Sequence, residues 1–177
     1  MFQYEKKLQY PVNIKTPNPK YASIIISQIG GPDGEIGASL RYLPQRISMP
    51  YSQIVGILTD VGVEELGHVE MVSAIIYQLT KNLTQEQIRQ NGFDTYFVDH
   101  TTGVYPTSAS GFPYTAASMA SKGDVLADLH EDLAADAAIT KEQPLPKKSR
   151  KPLKYKAFSH FGKTPENCIP AITQEQP

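Results

Sequence analysis

Glu65 and His68 are the residues whose types and spacing best fit metal chemistry in this sequence. They stand three positions apart in a segment with helical periodicity, so both side chains project from one helix face. A carboxylate and an imidazole in that arrangement can bind one metal ion, and the carboxylate can also bridge two ions. Because Glu-x-x-His matches also occur by chance, a pair on a solvated helix surface is the competing interpretation.

The neighbours of this pair favour a buried position. We predict that Glu64 and Glu70 lie on the solvated side of the helix, opposite an apolar stripe. The residues predicted for the buried stripe are Val61, Leu66, Val69 and Val72. A glutamate buried beside them without partners would be costly, so its burial requires a metal or a satisfied polar network.

Glu35 is the candidate for a second carboxylate at the same site. In metal-binding helical bundles, lone glutamates from neighbouring helices join Glu-x-x-His pairs. The flanking residues Ile36 and Leu40 predict that the helix of Glu35 faces a core. The alternative is an ordinary acidic residue near a helix N-terminus, where the helix dipole favours it.

Four segments with helical periodicity must position these residues. The segment that carries Glu35 predicts either one long, kinked helix or two stacked helices, interrupted at Gly30-Gly31-Pro32. Thr84, with Gln87 three residues later, predicts a capped short helix. The predicted helices cover about 20–47, 51–80, 83–91 and 122–139, and a long loop covers 93–121.

The overall composition limits the possible classes of function. The chain has 177 residues and a formal net charge of −1, which gives no electrostatic basis for binding nucleic acid or an anionic membrane. No apolar run reaches the roughly 18 to 20 residues of a membrane helix, and no signal-peptide pattern opens the sequence. The single cysteine, Cys168, excludes an internal disulfide framework. These features predict a cytoplasmic protein.

The charge distribution divides the chain near position 136. Residues 1–136 carry 9 Lys/Arg and 15 Asp/Glu, whereas residues 137–177 carry 8 Lys/Arg and 3 Asp/Glu. The second part also contains 6 of the 14 prolines. We therefore predict an N-terminal arm over 1–19, a helical domain over 20–139 and a basic, irregular tail over 140–177. The tail is interpreted as disordered, with a binding arm as the alternative.

Several short runs together carry a family resemblance. They are Gly30-Gly31 leading to Glu35, Arg41-Tyr42-Leu43, Thr59-Asp60 leading to Glu64-Glu65-Leu66-Gly67-His68-Val69-Glu70-Met71, Thr107-Ser108-Ala109-Ser110-Gly111, and Lys122-Gly123-Asp124 leading to Ala127-Asp128-Leu129. In these runs the chain resembles the manganese catalase family, most closely its spore-coat branch. The likeness covers about residues 1–136. It implies an all-α, ferritin-like four-helix bundle with long loops that assembles as a homo-oligomer.

The resemblance also implies roles for individual residues. Glu35, Glu65 and His68 match metal ligands of the family, with Glu65 as a bridge between ions. Tyr42 matches a tyrosine beside the metal cluster and is the predicted catalytic residue; its alternative role is that of a core aromatic. Asp136 stands where the family's third helix carries a ligand glutamate, and its side chain is shorter by one methylene.

The family's fourth helix has no match in this sequence. In the family this helix supplies a second Glu-x-x-His. Glu166 falls near the expected spacing, but the residue three positions later is Ile169 rather than a histidine. We therefore predict that the resemblance stops at about Asp136 and that the fourth helix is missing or replaced by the basic tail. A frameshifted or rearranged gene end is the simplest hypothesis, and a divergent natural tail is the alternative.

Three functions follow as expectations. The first is disproportionation of hydrogen peroxide at a site with two manganese ions, with activity weakened by the missing helix. The second is a structural spore-coat subunit without turnover, and the third is a ferritin-like di-iron oxidase, with iron as the alternative metal. The implied partners are hydrogen peroxide, further copies of the chain and other spore-coat proteins. The implied location is the cytoplasm or the spore coat.

Overall fold

A computed structural model describes residues 5–30, 34–96, 115 and 121–141, with the side chains of Thr95 and residues 136–141 left out. All regular secondary structure within these ranges is helical, as predicted. The helices are α1 (Pro19–Ile25), α2 (Ser27–Gly30), α3 (Glu35–Ser48), α4 (Ser52–Thr80), α5 (Gln85–Gln90), a 3-10 helix (Asp94–Tyr96) and α6 (Val125–Lys141). None of these helices is long and apolar enough to cross a lipid bilayer.

The helix predicted over about 51–80 matches α4, the longest helix of the described chain. It ends at Thr80 with Lys81 as its C-cap, and the next residue, Asn82, has a φ of 61°, a left-handed conformation that stops a helix. The following short helix, α5, starts with the predicted capping box. Gln87 donates its backbone N–H to the Thr84 hydroxyl at 3.2 Å, and Thr84 donates its own to Gln87 Oε1 at 2.8 Å.

The segment predicted as one kinked helix or two stacked helices contains three helices, α1 to α3. Asn18 caps α1 by accepting the Tyr21 N–H, and Pro19 occupies the first turn. Gly34 precedes α3 and passes close to α2, since a Cβ there would lie 2.9 Å from the carbonyl oxygens of Ser27 and Gln28. Only glycine allows the backbone to approach so closely at position 34. The chain leaves α2 before this point and begins α3 directly after it.

The buried face of α3 is largely polar, which differs from the sequence prediction. Buried residues three or four positions apart form one stripe along this helix and its C-cap: Glu35, Ala38, Tyr42, Gln45 and Met49. Leu40 was expected to face the core, but it is 40% exposed, and Ile47 is 86% exposed. The prediction is wrong for Leu40 because α4 and α6 pack on the neighbouring, polar stripe of the same helix.

The buried stripe of α4 also differs from the predicted one. It runs through Ile54, Leu58, Gly62, Glu65, His68, Met71, Ile76 and Leu79. Leu66, which was placed in the buried stripe, is 45% exposed, and Val61, Val69 and Val72 are only half-buried. The prediction was wrong because the Glu65/His68 pair lies on the buried stripe itself, facing the acidic start of α3, rather than beside an apolar stripe.

Two apolar clusters occupy opposite ends of α4, and the polar pair lies between them. The first cluster joins α3, α4 and α6 through residues that include Tyr42, Leu58 and Leu129. The second joins α1, the C-terminal end of α4 and the segment after α5, and includes Leu79 and Phe93. The clusters hold the helices together from both sides, so the interior between them can accommodate charged groups.

Glycine at position 62 allows α3 and α4 to approach closely. Ser39 Oγ donates to the Gly62 carbonyl oxygen at 2.7 Å across this contact. A Cβ at position 62 would lie 2.8 Å from Leu43 Cγ and 3.2 Å from Tyr42 Cβ, which is closer than side chains tolerate. Any side chain at position 62 would therefore push apart the two helices that carry the candidate site.

We expect Gly62→Ala to lower the free energy of unfolding by about 1 to 3 kcal/mol, because the new methyl group collides with Leu43. The matched control is Gly56→Ala in the same helix, where a Cβ meets nothing within 4 Å. It should raise the free energy of unfolding by about 0.5 to 1 kcal/mol through helix propensity. Denaturant unfolding of both variants measures these effects, and changes of the same sign would contradict the packing argument.

Candidate metal centre

Glu35, Glu65 and His68 converge inside the helical core. Glu35 lies in the first turn of α3, and the other two residues lie one turn apart in the middle of α4. Each offers one ligand atom, and these atoms lie within 4.8 Å of one another. All three side chains are buried. The two helices therefore bring together the residues that the sequence singled out, although their role as ligands stays a prediction.

The imidazole of His68 has two different surroundings. Its Nδ1 atom lies 2.8 Å from Oε2 of Glu65 and 3.5 Å from Oε2 of Glu35. Its Nε2 atom faces the other way, 4.0 Å from Oε1 of Glu64. The Nδ1 side of the ring therefore faces the two buried carboxylates, and the Nε2 side faces an acid at the edge of the site.

The buried carboxylates control the charge of this imidazole. Burial alone lowers the pKa of His68, because it penalises the charged ring, but hydrogen bonds to Glu35 and Glu65 and their negative charges outweigh it. Together they raise the pKa of His68 from 6.5 to about 10. In the metal-free cluster the two neighbouring acids therefore favour the protonated form of His68.

This donor set fits a divalent transition metal. Carboxylate oxygen and imidazole nitrogen suit manganese or iron, and none of the three donors is a soft thiolate. A metal would displace the proton from His68 Nδ1 and take over its role between the carboxylates, so metal binding would release a proton.

The two remaining predicted site residues lie on α3 and α6. Tyr42 is fully buried, seven residues after Glu35 on the same stripe of α3, and packs in the first apolar cluster. Asp136 lies within α6, but its side chain is outside the described part of the structure. Their assigned roles stay predictions. The basic tail from residue 142 onward, including Glu166 and Ile169, also lies outside the described residues.

Sequence reasoning missed a buried polar contact between α3 and α6. Gln45 Nε2 donates to Oδ1 of Asp132 at 2.9 Å, and both side chains are buried. Asp132 precedes Asp136 by one helical turn, so the contact directs this face of α6 toward α3. The usable signal was the spacing of Asp128, Asp132 and Asp136 at four-residue intervals, which marks one acidic helix face.

Comparison with known proteins gives the family of the chain. The family described as manganese containing catalase matches residues 1–143, which is most of the sequence. The chain belongs to the manganese catalase family. This assignment confirms the ferritin-like helical fold class.

Individual relatives place this family member near the spore-coat branch. It is 48% identical to Protein CotJC of Bacillus subtilis over 136 residues, which are 77% of this chain and 71% of that protein. It is 30% identical to a probable manganese catalase of Clostridium acetobutylicum, over 77% of this chain and 61% of that protein. The predicted resemblance to the spore-coat branch is confirmed.

A solved structure supports the same conclusion for the fold. KatB, a manganese catalase from Anabaena, superposes with a TM-score of 0.71 at 33% sequence identity. The match covers 80% of this chain and 64% of KatB. This manganese catalase family member therefore spans less than two thirds of KatB and of the clostridial relative.

The raised pKa of His68 predicts how stability depends on pH in the metal-free protein. A group whose folded pKa exceeds its unfolded value stabilises the fold fully below the unfolded pKa. The contribution of His68 should therefore be complete below pH 6.5 and be lost as pH rises through about 10. Denaturant unfolding between pH 6 and 10 measures this loss, and an NMR titration of the imidazole checks its origin.

The matched control is His130→Gln, which changes an exposed histidine on α6. It should leave the pH dependence of unfolding unchanged. If His68→Gln also leaves that dependence unchanged, the carboxylates do not hold a proton on His68.

Proposed function

We propose that this chain binds manganese through Glu35, Glu65 and His68 and converts two hydrogen peroxide molecules into dioxygen and two waters. The observation that carries the proposal is the convergence of three buried ligand atoms within 4.8 Å, on two helices of a manganese catalase fold. The similarity to KatB and to the clostridial relative, which are both named as manganese catalases, supports manganese as the metal.

The proposed reaction moves two electrons between two substrate molecules. One peroxide takes up two electrons and two protons and becomes two waters, and the other releases the same number and becomes dioxygen. When bound, a pair of manganese ions would supply the electron store by cycling between the +2 and +3 states. Glu65 would hold both ions, and burial of Glu35 and His68 would keep bulk water from competing with peroxide.

A pair of ions needs more donors than these three residues offer, so we propose further contributions from α3 and α6. Asp136 would add a carboxylate from α6, with a shorter reach than the family's glutamate. Tyr42 would act beside the cluster from the buried stripe of α3. Since no second Glu-x-x-His occurs in the sequence, we expect activity below that of a catalase with the complete donor set.

We propose that the site belongs to a domain over 20–139 with an N-terminal arm over 1–19 and a basic tail over 140–177. We further propose that the protein acts in the spore coat, as a homo-oligomer and together with other coat proteins. The 48% identity to CotJC supports this location.

The same identity favours a second candidate function. CotJC is much closer in sequence than the relatives named as catalases, so a coat subunit that keeps the scaffold without turnover is the alternative. Metal analysis combined with an oxygen electrode separates the two candidates. Bound manganese with rapid oxygen release from peroxide supports catalase activity, and assembly into large particles without bound metal supports the structural role. Bound iron with oxygen consumption would instead indicate a di-iron oxidase.

Mutating a residue that hydrogen-bonds to a metal ligand typically weakens metal binding by roughly 10- to 100-fold. We expect Glu65→Gln to weaken manganese binding by more than that, because Glu65 is itself a proposed ligand. The substitution removes the negative charge and one oxygen donor while keeping the size of the side chain. Glu70→Gln is the matched control, because it changes a half-buried acid of the same helix that is not among the converging groups. Metal titration and oxygen release measure the effect; equal loss in both variants would contradict the assignment.

A further inference from the structure

We infer that Glu64 and Gln9 hold the imidazole of His68 in its metal-binding orientation, with Gln9 acting from the N-terminal arm. The inference rests on the proposed function, since it concerns the same site. It adds two positioning residues that do not contact the metal themselves. Gln9 lies 55 positions before Glu64 in the sequence.

The orientation of the His68 imidazole indicates which of its nitrogens would bind the metal. His68 Nδ1 faces the carboxylates of Glu35 and Glu65, so Nδ1 is the atom that would bind the metal. The opposite ring atom, Nε2, then carries the remaining proton. The acidic oxygen that faces this atom is Oε1 of Glu64, at 4.0 Å.

An acid at this position has a definite physical effect. Metal-binding histidines usually donate their second N–H to a carboxylate, which fixes the tautomer and the plane of the ring and makes the ligand atom more basic. The side chain of Glu64 is only 17% exposed, so water screens its charge little. At 4.0 Å the two atoms form an ion-pair contact rather than a hydrogen bond, and contacts of this kind in metal-free sites often tighten only when the site is loaded.

A contact from the N-terminal arm holds Glu64 in turn. Gln9 Nε2 donates to Glu64 Oε1 at 3.2 Å, and this is the same oxygen that faces His68. The amide therefore limits where the carboxylate can turn, and it leaves the second lone pair of that oxygen for the imidazole.

The arm itself is anchored along α4. The Gln78 side chain donates to the Val12 carbonyl at 3.0 Å and accepts the Ile14 N–H at 2.6 Å. The backbone N–H of Asn18 donates to the Leu79 carbonyl at 2.7 Å. These bonds fix the arm against the outer side of α4, so the position of Gln9 is determined by the fold even though its side chain is exposed.

The test is the affinity of the full chain for Mn²⁺. We expect Glu64→Ala to weaken Mn²⁺ binding by roughly 10- to 100-fold. Gln9→Ala should weaken it about three- to tenfold, as expected for one lost hydrogen bond. Glu70→Ala is the charge-matched control on the same helix and should bind Mn²⁺ as the wild type does. Equal affinities of Glu64→Ala and wild type would overturn the inference.

A second measurement separates positioning from general stability. In the protein loaded with Zn²⁺, a diamagnetic probe of the same site, ¹⁵N NMR should detect the Nε2–H proton of His68 in the wild type, and in Glu64→Ala it should exchange with water and disappear. Glu64→Gln keeps an oxygen acceptor and should restore the signal and part of the affinity. Gln78→Ala loosens the arm at a distance from the site; if it alone reproduces the full effect of Gln9→Ala, the role of Gln9 is structural.

These results distinguish failure of the inference from failure of the proposed function. If wild type and Glu64→Ala bind Mn²⁺ equally and Glu65→Gln does not bind it, only the positioning role is wrong. If the wild type itself does not bind Mn²⁺, the proposed function fails, and the inference fails with it.

Discussion

Two buried carboxylates, Glu35 and Glu65, face the same imidazole across the contact between α3 and α4. Taking the two groups out of water is costly, so the surrounding structure must hold them together and supply positive charge or hydrogen-bond donors beside them. In the metal-free protein the imidazolium of His68 fills that role, as its pKa of about 10 reflects. A fold that depends on such a charged centre is suited to exchange the proton for a metal ion.

The rest of the helical core compensates for this polar centre. Apolar clusters at both ends of α4 supply the burial that the middle of the helix lacks. Gly62 allows α3 and α4 to approach within reach of one another's side chains, and the Ser39 hydroxyl donates to the Gly62 carbonyl oxygen across that contact. On the other side, the contact between Gln45 and Asp132 docks α6 on α3. These contacts keep the three helices closely packed while acidic side chains of each helix lie in the interior.

The N-terminal arm extends this organisation beyond the helices. It follows α4 in an extended conformation, and its hydrogen bonds go to side chains and carbonyls of that helix rather than to a sheet. The surface of α4 that the arm covers is next to Glu64, which lies at the edge of the site. The arm is thus part of the environment of His68, and a change in the arm can reach the candidate metal centre through a single side chain.

The sequence by itself determined the helices and the identity of the central group. Periodicity located α4, the capping box located α5, and the types and spacing of Glu65 and His68, with Glu35, indicated a metal site. The sequence did not determine which helix faces are buried. Hydrophobicity alone predicts that Leu40 and Leu66 lie in the core, but both are partly exposed. Only the tertiary structure decided this, since charged groups that satisfy one another across a helix pair can occupy the interior and leave leucines partly exposed. The contacts of Gln9 with Glu64 and of Gln45 with Asp132 join residues far apart in the chain, and although the spacing of the aspartates marks an acidic face on α6, no local pattern encodes which residue that face meets.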